Sequence, residues 1–224
     1  MALTLVLLLA WLAAGMPAEA ETLAFEKDQP GDAPRGFTIA KTGPGSAARW
    51  EVREEAGAPS GARVLVQASD DATRARFPLA VYDKAAFSDG TIAVRFKAIS
   101  GEVDQAAGIV WRYRDPDNYY IVRANALESN VVLYKVEKGK RTDLDPVGSG
   151  LFAYGKKATV KSGAWQALRV EVKGDLFRVF LDGAHLFDVR DETFRGSGKV
   201  GLWTKADSVT AFDDFAIAAA PPSP

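Results

Sequence analysis

The chain has 224 residues, 47% of them hydrophobic and 25% charged, with 28 Lys and Arg against 29 Asp and Glu. That near-balance excludes the strongly basic field that a nucleic-acid or anionic-membrane partner requires. The absence of cysteine excludes disulfides, a thiol nucleophile, thiolate metal sites and a lipid carried on cysteine, and a single histidine, His185, excludes a multi-histidine zinc centre.

Taken in chain order, the first element is a targeting segment. Leu3 to Met16 is almost purely apolar and is followed by Pro17 and Ala18-Glu19-Ala20. An apolar run of this length ending in an A-x-A pattern reads as a secretory signal peptide over residues 1–20, and the run is too short for a comfortable membrane span. No Lys or Arg precedes it. Export to the periplasm or the extracellular space is therefore expected, with no membrane anchor after cleavage. Removal of Glu19 would leave 28 basic and 28 acidic residues (29 acidic minus one).

Residues 21–218 read as one all-β domain, and residues 219–224 as a flexible tail. The pattern is many short alternating segments separated by Gly, Asp, Asn and Pro, as in a sandwich or barrel. Strands are expected at Arg49–Arg53, Arg63–Gln67, Thr91–Ile99, Gln105–Arg114, Tyr119–Asn125, Val131–Val136, Val200–Lys205 and Val209–Ala218. Lys84-Ala85-Ala86-Phe87 reads as one helical turn. Asp115-Pro116-Asp117-Asn118 is a turn. Leu168, Val170 and Val172 alternate with charged residues, Gly174-Asp175 turns the chain, and Phe177, Val179 and Leu181 alternate in return before Asp182-Gly183. Period-2 alternation puts each apolar set on one sheet face, and Asp-Gly supplies the positive φ of a tight hairpin.

The richest stretch is Gly108 to Val136. In its middle strand Tyr120, Val122 and Ala124 form the better core face, which turns Arg123 and Asn125 outward. The preceding strand is ambiguous: either Trp111 lies in the core with Arg112 on the open face, or a bulge reverses the two. In Val200–Lys205, Val200 and Leu202 suit the core, leaving Trp203 and Lys205 outside. An outward Trp beside Arg, Asn and Lys suits a sugar, because the indole stacks on the apolar pyranose face while fixed polar groups orient the hydroxyls. The ligand-contact candidates are thus Arg112, Arg123, Asn125, Trp203 and Lys205, with Asn130, Glu128 and Asp207 on rim loops. The competing reading packs Trp203 under a loop and leaves the charges as ordinary surface.

The runs Gly108–Val136, Trp165–Val172, Phe180–Gly183, Gly198–Trp203 and Phe212–Phe215 follow an order that resembles the concanavalin A-like lectin/glucanase sandwich. Within that group the chain is most similar to exported bacterial 3-keto-disaccharide hydrolases, loosely called family-16-like glycoside hydrolases. The resemblance spans roughly Phe25 to Ile217 and implies two antiparallel sheets in a jelly roll, with sugars on the concave side. It also implies a structural Ca²⁺ clamping the terminal strands, with Glu26 or Asp28 at the start and Asp213 or Asp214 at the end as ligands. The alternative is that these acids border edge strands.

A retaining glucanase needs two carboxylates about 5 Å apart. Glu102-Val103-Asp104 matches the first two acids of that pattern, but Ala106 and Ala107 stand where the second Glu belongs. Gly196-Ser197-Gly198-Lys199 lacks the first glycine and the Ser/Thr of a phosphate loop. Three readings follow: a carbohydrate-binding sandwich, a 3-keto-glycoside hydrolase or lyase, and a non-catalytic protein-interaction module.

Overall fold

The computed structural model describes residues 20–150 and 153–220. The apolar segment at residues 3–16 and the last four residues lie outside them. The described chain forms β1 (Glu21–Leu23), β2 (Phe37–Thr42), β3 (Trp50–Glu54), β4 (Arg63–Gln67), β5 (Phe77–Phe87), β6 (Gly90–Ser100), β7 (Ala106–Asp115) and β8 (Asn118–Asn125). It continues through β9 (Asn130–Glu137), β10 (Lys140–Asp143), β11 (Lys156–Lys157), β12 (Gln166–Lys173), β13 (Leu176–Leu181), β14 (Ala184–Arg190), β15 (Gly198–Trp203) and β16 (Val209–Ala219).

These strands build two eight-stranded antiparallel sheets. The first runs β14-β13-β12-β6-β16-β4-β3, with β1 on β16; the second runs β10-β9-β8-β7-β15-β5-β2, with β11 on β9. Neighbours distant in sequence, such as β6 beside β16 and β7 beside β15, give the jelly-roll crossover. The all-β antiparallel sandwich expected from alternation is the observed architecture.

The main core fills the space between the sheets. Val94, Phe96, Leu168, Val170, Phe177, Val179 and Phe212 from the first sheet meet Ile109, Trp111, Tyr120, Val122, Ala124, Leu133, Val200 and Leu202 from the second. The inner face assigned to Tyr120, Val122 and Ala124 is therefore correct. The Asp182-Gly183 turn also behaves as expected, with φ of 49° and 81°.

Two expectations change. Lys84–Phe87 is no helical turn but the end of β5, where Phe87 pairs with Gly198 and is wholly buried in the main core. A register shift against β15 lets Asp83–Ala86 loop outward while Phe87 returns to the ladder. A charged, Ala-containing segment therefore reads locally as helix, although its hydrogen bonds lie across the sheet.

The second change concerns the outer face of the second sheet. Apart from the polar residues at one end, it is apolar: Phe77, Leu79, Val81, Val110, Tyr119, Ile121, Val132, Tyr134, Val136 and Trp203 form a separate buried cluster there. This sheet therefore carries apolar side chains on both faces.

Candidate functional site

The site is built on the outer face of the second sheet, at the end where the β8–β9 turn and the segments before β7 and after β15 converge. Pairing of Trp203 with Gly108, of Gly108 with Arg123, and of Arg123 with Val132 lines these residues up in one cross-sheet row. Gly108 is required in that row, because a Cβ there would lie 2.3 Å from Ile121 Cδ1, 2.9 Å from the Val122 carbonyl oxygen and 3.3 Å from Trp203.

Arg123 is the centre. Its side chain is 1% exposed. Nη2 donates to Glu128 Oε2 (2.9 Å), Tyr134 Oη (3.0 Å) and Tyr154 Oη (3.2 Å). Nε and Nη1 have no hydrogen-bond partner among the described residues. Burial works against the charge, but the Tyr134 hydroxyl and the Glu128 carboxylate beside it keep Arg123 firmly protonated.

Glu128 also accepts from Asn130 Nδ2 (3.1 Å) and Asn125 Nδ2 (3.2 Å). Burial alone would raise its pKa; the Arg123 guanidinium overcomes this and holds the carboxyl below its ordinary range. Asn130 Oδ1 is buried and has no partner among the described residues. The β8–β9 connection holds these groups in place: Asn125 Oδ1 accepts from Leu127 N (3.0 Å), and Ser129 takes a left-handed φ of 47°.

Asn125 links this group to a second one. Its Nδ2 donates to Asp104 Oδ1 (2.6 Å), and Asp104 Oδ2 lies 2.5 Å from Lys205 Nζ. Asp104 is presented by a turn that Asp207 holds. The Asp207 carboxylate accepts backbone N–H groups from Glu102 (2.7 Å), Val103 (3.0 Å) and Asp104 (3.0 Å). Burial raises the Asp207 pKa, but these donors outweigh it and the net direction is down.

Of the sequence candidates, Arg123, Asn125, Asn130 and Lys205 thus come together with Glu128. Asp207 supports the site from beneath, its oxygens turned to the backbone. Trp203 stands on the expected face but is 0% exposed, because Phe77 stacks on it at 5.3 Å and the Arg141 guanidinium lies 5.9 Å from its ring. The expectation of an open indole is corrected: its faces are already covered.

Arg112 does not belong to the site. Trp111 is in the main core, and the ladder with β8 slips between Trp111 and Asp115. Arg112 sits in that bulge with φ of 47° and donates to the carbonyls of Ser88, Phe194 (3.0 Å) and Gly174 (2.7 Å) and to Asp89. It is a buried strut for three loops at the far end of the sheet.

The acids expected to hold calcium make the following contacts. Glu26 Oε1 accepts from Ala62 N (2.9 Å) and Arg63 N (2.7 Å), and Asp213 accepts from Ser60 N (2.9 Å) and Asp214 N (2.8 Å). Asp28 pairs with Arg35, and Asp214 occupies a left-handed position in the β16 bulge. The carboxylates of Glu26 and Asp213 secure the turn before β4, and no group of three ligating side chains converges among the described residues.

Sequence reasoning missed Tyr134, Tyr154 and Arg141, and read Asp104 only against the glucanase pattern. Tyr134 could have been found, since it follows Val132 at period two on the face that bears Arg123. Tyr154 reaches Arg123 from a glycine-bearing loop, 31 residues away, and left no local signal. Its ring is 47% exposed, which makes it the accessible aromatic of the site.

One comparison with a solved structure shows a shared fold, and two weaker likenesses accompany it. The carbohydrate-binding module CBM66 of Bacillus subtilis matches with a TM-score of 0.55 and 22% identity, over 74% of this chain and 92% of that one. A Bacillus subtilis protein of unknown function with a galectin-like fold matches at 0.48 and 12%, over 75% and 87%. Galectin LEC-6 of Caenorhabditis elegans matches at 0.40 and 18%, over 58% and 84%. No curated protein matches the sequence. The family model of the 3-keto-alpha-glucoside-1,2-lyase-like domain matches residues 37–218, and the chain belongs to that family.

Proposed function

We propose that this chain is an exported glycan-binding β-sandwich, periplasmic or extracellular, whose ligand lies against Arg123, Glu128, Asn130 and Tyr154. The observation that carries this reading is the buried Arg123 guanidinium, two of whose nitrogens have no partner among the described residues, next to an equally unpartnered Asn130 Oδ1. A buried donor left unsatisfied costs roughly 1–3 kcal/mol, so such groups call for a partner, ligand or bound water, that the protein itself does not supply. The exposed Tyr154 ring offers a stacking surface beside them. Family membership and the fold shared with the Bacillus subtilis module support the same reading. Export rests on the apolar N-terminal run and Ala18-Glu19-Ala20.

The test is titration of the mature protein with a panel of oligosaccharides, alongside Arg123→Lys and Tyr154→Ala. Binding weakened by both substitutions supports the reading. A folded wild-type protein that binds nothing across the panel overturns it.

A second reading, a 3-keto-glycoside lyase, is favoured by the ionised Glu128 held beside Arg123. In that reaction the Glu128 carboxylate takes the C–H proton adjacent to the keto group, and the C–H electron pair forms the enolate, with its charge on the former keto oxygen. The enolate pair then returns to form the carbon–carbon double bond as the glycosidic C–O bond breaks, and the leaving oxygen departs with its electron pair and takes the proton from Glu128. Arg123 would neutralise the enolate oxygen as charge develops there. A glucanase route is less suited to Glu128, since a general acid needs a raised pKa and this one is lowered. Incubation with 3-keto-glycosides, with and without Glu128→Gln, separates lyase from lectin by the appearance of the unsaturated product.

A further inference from the structure

The buried hydrogen-bonding groups left without partners in the site are unequal in kind. On the donor side are Arg123 Nε and Nη1 and Arg141 Nη1, all buried and without partners among the described residues; on the acceptor side is Asn130 Oδ1. A sugar hydroxyl brings a donor and acceptor capacity together, so a ligand with hydroxyls alone matches a balanced site. Three unpartnered guanidinium nitrogens, with the Trp203 indole N–H beside them, outnumber the one unpartnered amide oxygen and call for oxygens that only accept.

Charge points the same way. The two guanidiniums flank one ring: Arg141 Cζ lies 4.4 Å and Arg123 Cζ 5.7 Å from the Tyr134 centroid. Glu128 pairs with Arg123 at 2.9 Å. Arg141 forms no ion pair among the described residues; it rests on the rings of Tyr134, Phe77 (4.8 Å) and Trp203 (5.9 Å). Asp143, two residues along β10, is exposed and leaves Arg141 without a carboxylate. Lys205, by contrast, is already matched by Asp104.

We infer that the glycan carries a carboxylate: the site takes a uronic-acid residue, its carboxylate on the Arg123–Arg141 side of Tyr134 and a ring hydroxyl donating to Asn130 Oδ1. This rests on the glycan-binding reading and narrows it. A carboxylate supplies two acceptor-only oxygens, the counter-charge that Arg141 lacks, and charge-assisted bonds stronger than those a hydroxyl makes. Arg141 is then the residue that distinguishes acidic from neutral sugars, and Arg123 the residue that both share.

The experiment compares oligosaccharides of galacturonate, glucuronate and mannuronate with their methyl esters and with the corresponding neutral sugars, by calorimetry at low and moderate salt. The acid form of at least one should bind about 10-fold more tightly than its own ester, and the ratio should shrink as salt rises. Arg141→Gln should bring that ratio close to one, while Arg141→Lys should keep part of it. Equal binding of acid and ester, or an acid preference that survives in Arg141→Gln, overturns the inference and leaves glycan binding standing. Absence of binding to acids, esters and neutral sugars alike overturns both.

Discussion

Arg123 and Trp203 stand on either side of Gly108 in one row of the second sheet, each paired with it across a strand boundary. Their spacing is therefore fixed by two backbone ladders, about 10 Å in all. A side chain on Gly108 would strike Ile121 Cδ1 and the Val122 carbonyl. Gly108→Ala is expected to lose about 1–3 kcal/mol by overpacking, read as a lowered urea midpoint. A midpoint equal to wild type would show that the row is more yielding than its geometry implies.

Asp207 tests whether the turn bearing Asp104 depends on one carboxylate. Asp207→Asn keeps the shape but weakens acceptance from three N–H groups. A stability loss of about 1–3 kcal/mol is expected, with faster hydrogen exchange at residues 102–104. Unchanged exchange there would contradict the role given to this carboxylate.

The pH dependence of stability should carry two opposite contributions. The folded-state pKa of Asp207 is depressed, so its stabilisation is present above the ordinary aspartate value and is lost as pH falls through the lower folded value. Asp213 is raised by burial, which outweighs the N–H bonds from Ser60 and Asp214. The folded state therefore holds the Asp213 proton longer, and this group favours folding as pH falls from its raised value toward about 3.9. Asp213→Asn should make stability climb more steeply with pH in that window, and Asp207→Asn less steeply below it. Equal slopes in wild type and Asp213→Asn would remove the buried carboxyl as a contributor.

Calcium should leave thermal stability unchanged. The carboxylates of Glu26 and Asp213 are committed to backbone N–H groups of residues 60–63 and Asp214. Added Ca²⁺ or a chelator is expected to shift the melting temperature by less than the scatter of replicates. A rise that saturates with Ca²⁺ would restore the terminal-strand metal site.

Tyr154→Phe separates site from scaffold. The hydroxyl lies 2.6 Å from Tyr134 Oη and 3.2 Å from Arg123 Nη2, yet the ring is exposed. Stability should fall by no more than about 1 kcal/mol, while glycan affinity drops several-fold. Affinity untouched by the change would remove the Tyr154 hydroxyl, though not its ring, from the ligand surface.

Local pattern reveals faces better than it reveals cover. Alternation in β8 assigned Tyr120, Val122 and Ala124 inward and Arg123 and Asn125 outward, and the sheet obeys it. Alternation does not report what lies over the outer face, so Trp203 read as open when Phe77 and Arg141 close it. Arg112 was misplaced because a single left-handed residue breaks the period of two in mid-strand. The carboxylates near the termini read from the sequence as calcium ligands or as borders of edge strands, while the structure gives Glu26 and Asp213 partners among the amide hydrogens of a distant turn, which spacing does not encode.

The two halves of the site have different histories in a folding chain. Arg123, Asn125 and Glu128 sit in one hairpin and meet through contacts three to five residues apart. The Asp104–Lys205 pair exists only after Asp207 has captured a turn that lies 103 to 105 positions earlier. Closing a loop of that length costs more chain entropy than closing the hairpin, which favours the hairpin half forming first. A partly folded chain would thus own the guanidinium half of the site without the half that Asp104 anchors, and affinity would serve as a readout of the final crossover.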